Sequence, residues 1–503
     1  MTTAQPARRA VVLSTFDLPD AQQLMLYGCE DCACPITNDQ HTLDRTSPPF
    51  PEALIDASRW VRDPEILELR LDPDHHVLFN PLARGGVVVV NEAARHVLDL
   101  FRRPATVGEA RGAWPGPGED LDAVLGRLVE LEIVRRPEAP PRLVFQDSTV
   151  LTAWLHVTNA CNLRCPYCYV NKSGEGMDEP VGRAAVEAVL RSAVDHGFQA
   201  VKLKYAGGEA SLNHRLMLAL HTYAQALAGE RGLGLHGTLL SNGVALSPAL
   251  IEALKAHDIR VMISLDGVGE QHDAQRPFAN GKPSFQFVER TIGRLLEHGH
   301  APHLSITITS RNLTGLAEVV RFALERDLTF SLNFFRDNDC AASFPDLRFE
   351  EQAMIAAVLD AFGVIKEFLP PWSVLGAVLD RGQLLQPRRR SCGVGHDYVV
   401  IDQRGRVAKC HMEIERTLGD VFSADPLRLV RHDTTTVHNP SVEEKEGCRD
   451  CTWRFWCSGG CAVATFRATG RYDVKSPNCN IYRAIYPEAL RLEGLRLLKY
   501  AVP

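Results

Sequence analysis

Two rhythms of hydrophobic and polar positions divide this chain. Between residue 153 and about 335, short apolar runs alternate with stretches in which apolar residues recur every three or four positions. The runs AWLHVT, AVKLKYA, LGLHGTLLS, RVMISLD, HLSITIT and LTFSLNF read as strands, and SPALIEALKAH and SFQFVERTIGRLLEH as amphipathic helices between them. Six such units in series predict an α/β fold with a parallel sheet and ligand sites at the strands' C-terminal ends. The stretch is short for a closed eight-stranded barrel, which typically takes about 250 residues. A partial (β/α)6 barrel is expected over 149–345.

Outside the barrel the pattern changes. Residues 1–70 hold Pro, Asp and three close cysteines with little periodicity, and are expected to form a partly irregular N-terminal extension. From 71 to 148 the pattern tightens. VLFNP and GVVVVN read as short strands, followed by EAARHVLDLFRR, TVGEARGAW and GEDLDAVLGRLVELEIV as helices. The first helix sets Ala94, Val97, Leu98 and Phe101 on one face, and Thr106 can cap the second. Two strands and three short helices make a winged-helix-like domain. After the barrel, 346–387 reads as a helical linker, 388–485 as a cysteine-dense tail, and 486–503, which contains PEALRLEGLRLLKY, as a closing amphipathic helix.

Composition narrows the choice of function. The 503 residues suffice for about three domains, and 45% hydrophobic with 23% charged residues is an ordinary globular balance. The net charge is −7, and residues 75–136 hold eight Arg, no Lys and eight acidic residues, so phosphate finds no net attraction and no nucleic-acid partner is expected. No apolar run approaches the roughly 18 residues of a membrane span. Asp17 interrupts the N-terminal apolar patch too early for a cleaved export signal. A cytoplasmic protein without a membrane partner is expected. Fourteen cysteines gathered in three places then read as metal ligands in a reducing compartment rather than as disulfides.

The first predicted strand runs into CNLRCPYC, where Cys161, Cys165 and Cys168 offer three thiolates on a loop at the ligand edge. Structural zinc wants four donors, and four-thiolate ligation is usual for a four-iron cluster. Three suit a cluster with one iron left open to a small molecule. The second strand ends in AGGE, where Gly207 and Gly208 permit close backbone approach and Glu209 offers a carboxylate to an ammonium group. The third ends in SNG, Ser241 to Gly243, and the fourth runs into SLDGVGEQHDAQR, with Ser264 and Arg276. Each of these motifs alone is also compatible with an ordinary turn.

In this order, each after its own strand, the motifs resemble those of the radical S-adenosylmethionine (SAM) superfamily. The resemblance implies a [4Fe–4S] cluster on Cys161, Cys165 and Cys168, with aromatic Tyr167 before the last, whose open iron is chelated by the amino and carboxylate groups of SAM. It implies that an electron cleaves SAM to a 5′-deoxyadenosyl radical. It further implies that the Gly207-Gly208-Glu209 motif holds SAM's ammonium, that Asn242 lies in a ribose-contacting turn, and that Ser264 and Arg276 bind SAM's carboxylate.

The tail reads Cys392-x12-Gly405-x4-Cys410, then Cys448-x2-Cys451-x5-Cys457-x3-Cys461, then Cys479. Seven thiols fall one short of two four-thiolate sites. A zinc ribbon on the CxxC pair is one reading. The whole spacing resembles the SPASM extension of radical SAM enzymes, which implies two auxiliary iron–sulfur clusters, expected as [4Fe–4S]. By that resemblance Cys448, Cys451, Cys457 and Cys479 hold one cluster, and Cys392, Cys410 and Cys461 the other. The fourth ligand of the latter is then Cys340, a substrate group, or nothing. Cys29, Cys32 and Cys34 are either a further metal site or free thiols in an arm.

The radical SAM/SPASM proteins that this chain resembles mostly oxidise or cross-link residues in peptides or proteins. The 71–148 domain is similar to the leader-recognition element of maturases acting on ribosomally made peptides, or else is structural only. The resemblance implies a peptide-modifying maturase whose partner is a precursor peptide, its leader added as a strand to the domain's sheet edge. Hydrogen abstraction would end in net oxidation or a thioether, C–C or C–O cross-link, with ferredoxin or flavodoxin as electron donor. A formylglycine-generating sulfatase maturase is the alternative, although such relatives carry Asp where His411 follows Cys410. His411 is a candidate for acid–base chemistry, since imidazole titrates near neutrality, or a supporting side chain. A non-enzymatic iron–sulfur electron carrier would explain the tail cysteines but not AGGE, SNG or the Arg276 segment.

Overall fold

The six strands read from the sequence lie side by side and run the same way. The computed structural model describes residues 9–18, 58–84, 86–140, 143–376 and 378–501. Seven short strands come first: β1 (Val12–Ser14), β2 (Arg59–Arg62), β3 (Leu67–Arg70), β4 (His75–Phe79), β5 (Val88–Asn91), β6 (Ala105–Thr106) and β7 (Val134–Arg135). The parallel array follows as β8 (Val150–Thr158), β9 (Ala200–Gly207), β10 (Gly234–Ser241), β11 (Ile259–Ser264), β12 (His303–Ile308) and β13 (Phe330–Phe334). Last come β14 (Tyr398–Ile401), β15 (Arg406–Ala408) and β16 (Thr417–Asp420). Helices Glu179–Asp195, His214–Glu230, Pro248–Ala256 and Phe285–Glu297 pack apolar faces on this sheet. Ser247 caps the third of them by accepting from the Leu250 N–H.

The sheet extends beyond the barrel. Its order is β13-β12-β11-β10-β9-β8-β14-β15-β16. All nine residues of β8 are buried, which is why its sequence shows a continuous apolar run instead of alternation. The edge that a six-stranded barrel would leave open is paired in parallel by β14, with Tyr398 opposite Thr152 and Ile401 opposite Leu155. The tail, read from the sequence as a unit of its own, therefore contributes three strands to the barrel's sheet. Strands of three and four residues carry too little periodicity to be read locally, and their partner is remote in the chain.

The N-terminal domain keeps the predicted order of two strands and three helices, Glu92–Asp99, Val107–Ala113 and Gly118–Glu130. Thr106 and Glu109 form the expected capping box. It also draws on the stretch expected to be partly irregular: β1 and β3 flank a four-stranded antiparallel sheet of order β1-β5-β4-β3, and β2 pairs with β6 and β7. Cys29, Cys32 and Cys34 lie outside the described residues.

Two helices fasten these parts together. Glu351–Phe368 is the predicted linker helix. The closing helix spans Cys479–Tyr500 and so starts well before Pro487, where the sequence pattern places its beginning. Interior proline costs a helix hydrogen bond, and buried Ile481, Tyr482, Ile485 and Tyr486 carry the helix through it. Gly494 rests on Val77 of β4 so closely that a Cβ would lie 2.4 Å from Val77 Cγ2. The Trp456 indole donates to Pro81 O at 3.1 Å, and Phe79 stacks on Trp453 and meets Trp456 edge to face. The small domain is thereby packed on the cysteine tail.

Candidate active site

Loops leaving the C-terminal ends of β8 to β13 enclose one cavity. It is lined by Cys161, Cys165, Cys168, Tyr167, Gly207, Gly208, Glu209, Asn242, Ser264 and Arg276, the residues that the radical SAM resemblance points to. His411 and Met412 enter it from the tail.

The glycines of AGGE serve the chain itself. A Cβ on Gly207 would sit 2.3 Å from Thr158 O, and one on Gly208 would sit 2.4 Å from Ala160 O. Glycine thus lets the end of β9 close onto the start of the cysteine loop, where Gly208 N–H donates to Thr158 O (2.7 Å) and Glu209 N–H to Ala160 O (2.8 Å). The Glu209 carboxylate is buried and accepts from Ser211 N–H (3.0 Å), the Ser241 hydroxyl (2.9 Å) and Asn242 N–H (2.6 Å). An ionised carboxylate offers about four acceptor sites, so one remains for an ammonium group. Asn242 ties the turn after β10 to the cysteine loop, its Nδ2 donating to Asn162 Oδ1 at 2.7 Å.

Asp266, within the SLDG stretch but not singled out from the sequence, organises the opposite wall. It is fully buried and accepts from Arg276 Nε (2.7 Å), from Thr307 N–H (2.9 Å) and from the Tyr167 hydroxyl. The Arg276 guanidinium lies 5.4 Å from the centre of the Tyr167 ring. One edge of Arg276 is thus spent on Asp266, while the residue still faces the cavity, where its other N–H groups could take a carboxylate in a fork. A single buried carboxylate therefore couples the cysteine loop, β11 and β12.

The thiols are chemically poised for a metal cluster. All eleven cysteines among the described residues are free. Burial, opposed in part by Arg276, pushes the Cys165 thiol up to about 12, with Cys168 and Cys161 adding repulsion. Such mutually repelling thiols gain most when a cation replaces their protons. Among the described residues no three His, Cys, Asp or Glu groups gather tightly enough for a single metal ion.

Electrostatic neighbours among the tail thiols form two groups. Cys392 and Cys461 act electrostatically on Cys410. Cys448, Cys451 and Cys479 act on Cys457, whose thiol burial raises to about 12. Cys461 departs from the others because Arg336 and Arg381 hold it below the usual thiol range against burial. Cys340 lies beside the first cysteine loop. Its Sγ lies against Tyr169 O (3.5 Å) and Asn171 Oδ1 (3.3 Å), beside Cys168. Lys445, unmarked in the sequence, is completely buried and its charge acts on two thiols of each set.

His411 stacks on Trp154 with ring centres 4.6 Å apart and shares a hydrogen bond with the Tyr398 hydroxyl at 3.0 Å. Burial, with Arg381, Arg336 and Lys204 nearby, holds its pKa well below the usual imidazole value. The ring lines the cavity and adjoins Cys410 in the chain. Asn333 also lines the cavity. Tyr205 turns away, its hydroxyl 3.0 Å from His221 Nδ1, and Phe335 is not among the lining residues.

Residues 155–323 match the model of the radical SAM superfamily. An uncharacterized protein of Methanocaldococcus jannaschii is 30% identical over 171 residues, covering 34% of this chain and 57% of that protein. The cysteine-type anaerobic sulfatase-maturating enzyme of Clostridium perfringens is 22% identical over 68% of this chain and 96% of its own length. The PqqA peptide cyclase of Xanthomonas axonopodis pv. citri is 23% identical over 65% and 87%. Among solved structures, native anSMEcpe with bound AdoMet and Cp18Cys peptide superposes with a TM-score of 0.57 at 18% identity, over 70% of this chain and 99% of that one. The chain therefore contains a radical SAM domain at residues 155–323, built on the α/β fold of that enzyme superfamily.

Proposed function

We propose that this enzyme modifies a ribosomally made precursor peptide, with a [4Fe–4S] cluster on Cys161, Cys165 and Cys168 and SAM at its open iron. The observation that carries the reading is the single cavity in which these thiols meet Glu209, Asn242, Ser264 and Arg276 on one side and His411 on the other. When bound, these groups supply one-electron cleavage of SAM to a hydrogen-abstracting radical, and clusters on the two tail sets supply electron acceptors. Glu209 and Arg276 would fix the ammonium and carboxylate of SAM. Ser264 sits at the end of β11 on the same wall. His411 lines the same cavity and would take a proton from a substrate held there. The peptide core would occupy the space between Ser264 and His411, and its leader the N-terminal domain. The outcome is a net oxidation or a thioether, C–C or C–O cross-link, and the reducing electron comes from a ferredoxin or flavodoxin.

The names of the peptide cyclase and the sulfatase-maturating relative support a peptide or protein substrate. The near full-length match to the latter favours formylglycine formation as a second reading. The test is anaerobic incubation of reconstituted enzyme with SAM, dithionite and a small peptide encoded beside its gene. Tandem mass spectrometry should show 5′-deoxyadenosine and a localised mass change. No 5′-deoxyadenosine would leave an electron carrier. 5′-Deoxyadenosine without change in the peptide, but with a sulfatase cysteine peptide converted, would favour the second reading.

A further inference from the structure

Residues 9–18 lie on the N-terminal domain in the manner of an added peptide. Strand β1 pairs antiparallel with the edge of β5, Val12 opposite Val90 and Ser14 opposite Val88. Around this pairing, Asn91 N–H donates to Val11 O (3.2 Å), Thr15 N–H to Val87 O (3.0 Å), and Asn91 Nδ2 to Arg9 O (2.9 Å). Val11 N–H donates to Asn91 Oδ1 (3.0 Å). The groups on the segment's side of these bonds are main-chain atoms, and the Thr15 hydroxyl adds to them by accepting from Val87 N–H (2.9 Å) and donating to Val87 O (3.2 Å).

Other side chains of the segment are engaged as well, Leu18 and Leu13 with the main core and Ala10 with that of the small domain. Val12 packs on the small domain's core. Phe16 lies over Gly86, where a Cβ would meet the ring at 2.8 Å. Asp17 pairs with Arg127 of helix Gly118–Glu130. Residues 19–57 join the segment to β2, so its departure breaks no covalent bond.

We infer that the edge of β5 beside helix Gly118–Glu130 is the strand-accepting surface for the substrate peptide, and that residues 9–18 occupy it as an exchangeable intramolecular strand. This rests on the peptide-modifying reading above. The segment also describes its replacement: an extended stretch with an apolar residue in the place of Val12, an aromatic one in the place of Phe16, and a carboxylate next to it for Arg127. Main-chain pairing supplies the affinity and these side-chain contacts the register. The resident strand lowers the apparent affinity for any incoming peptide by the fraction of time that the edge is open.

The probe is a fluorescein-labelled synthetic peptide with the sequence of residues 9–18, titrated by anisotropy into iron-reconstituted protein. Protein lacking residues 1–18 should bind it saturably, and the intact chain at least about tenfold more weakly. Hydrogen-bonded pairs alternate along an antiparallel ladder, which puts the Leu13 N–H on Val89. The full-length Leu13→Pro variant should therefore release the edge and recover probe binding, which keeps the test open if the deletion fails to fold. An Asp17→Asn probe should bind more weakly than the parent. Equal binding to intact and opened chains, or none to both opened forms with iron content intact, overturns the inference. So does a gene-adjacent peptide that gains the mass change described above without displacing the probe. In that case the enzyme's activity on peptides stands and the surface does not.

Discussion

Replacing Asp266 with Asn asks whether one buried carboxylate holds the cavity wall together. Asp266 is 0% exposed. Its Oδ2 accepts from Arg276 Nε and the Tyr167 hydroxyl, and its Oδ1 from Thr307 N–H. An amide keeps a single oxygen. If that oxygen serves Thr307, the NH2 group faces the Arg276 N–H, donor against donor, and the Tyr167 hydroxyl must turn to accept. Removing one partner of a buried pair costs about 3–5 kcal/mol, because the other charge is left without compensation. At about 1.4 kcal/mol per factor of ten, the intact site loses roughly two to three and a half orders of magnitude in population. The assay is the urea midpoint of anaerobic protein, read with 5′-deoxyadenosine formed per iron. Both should fall in Asp266→Asn. Adding Arg276→Met removes the stranded charge and should restore much of the midpoint but not SAM cleavage, since Arg276 also faces the cavity. An Asp266→Asn protein with the parental midpoint and parental cleavage would refute the argument.

Gly208→Ala drives a Cβ onto the Ala160 and Asn159 carbonyls. Overpacking of this kind costs about 1–3 kcal/mol, here concentrated on the cysteine loop, so iron content after reconstitution should drop while far-UV circular dichroism is retained; normal iron loading would count against the role given to this glycine. His411→Ala should keep its iron and its 5′-deoxyadenosine but lose modified peptide, and an unchanged product yield would reduce His411 to packing. Asp397 has an Oδ1 sealed from water with no hydrogen-bond partner, and burial raises its carboxyl to about 7. A carboxyl raised in the fold favours the native state while protonated, so stability falls as pH climbs from about 4 to about 7. Asp397→Asn should then raise the urea midpoint at pH 8 and leave it unchanged at pH 4; an equal gain at both would show that charge is not the cause.

Much of the chemistry is legible in the linear order of residues. Cys161, Cys165, Cys168, the AGGE, SNG and SLDG turns and Arg276 each follow a strand whose apolar run is easily read, and a parallel sheet sends all such turns to one end. Their meeting in one cavity is therefore a consequence of order along the chain. The partition proposed for the seven tail thiols rests on spacing and resemblance together.

Contacts between distant segments are not. Asp266 looks like any turn aspartate until Arg276 and Tyr167 close on it, and Lys445 gains its place between two thiol sets only through burial. Short strands such as β1 and β14 carry no periodicity of their own, so β14 joining the barrel and β1 covering β5 emerge only in three dimensions. The sequence alone determined which local elements form and what chemistry their ends carry, because periodicity and turn residues act over a few positions. Tertiary structure decided which carboxylate meets which cation, which thiol is denied water, and which edge is already taken, because hydrogen bonding and desolvation depend on neighbours that the linear order does not specify.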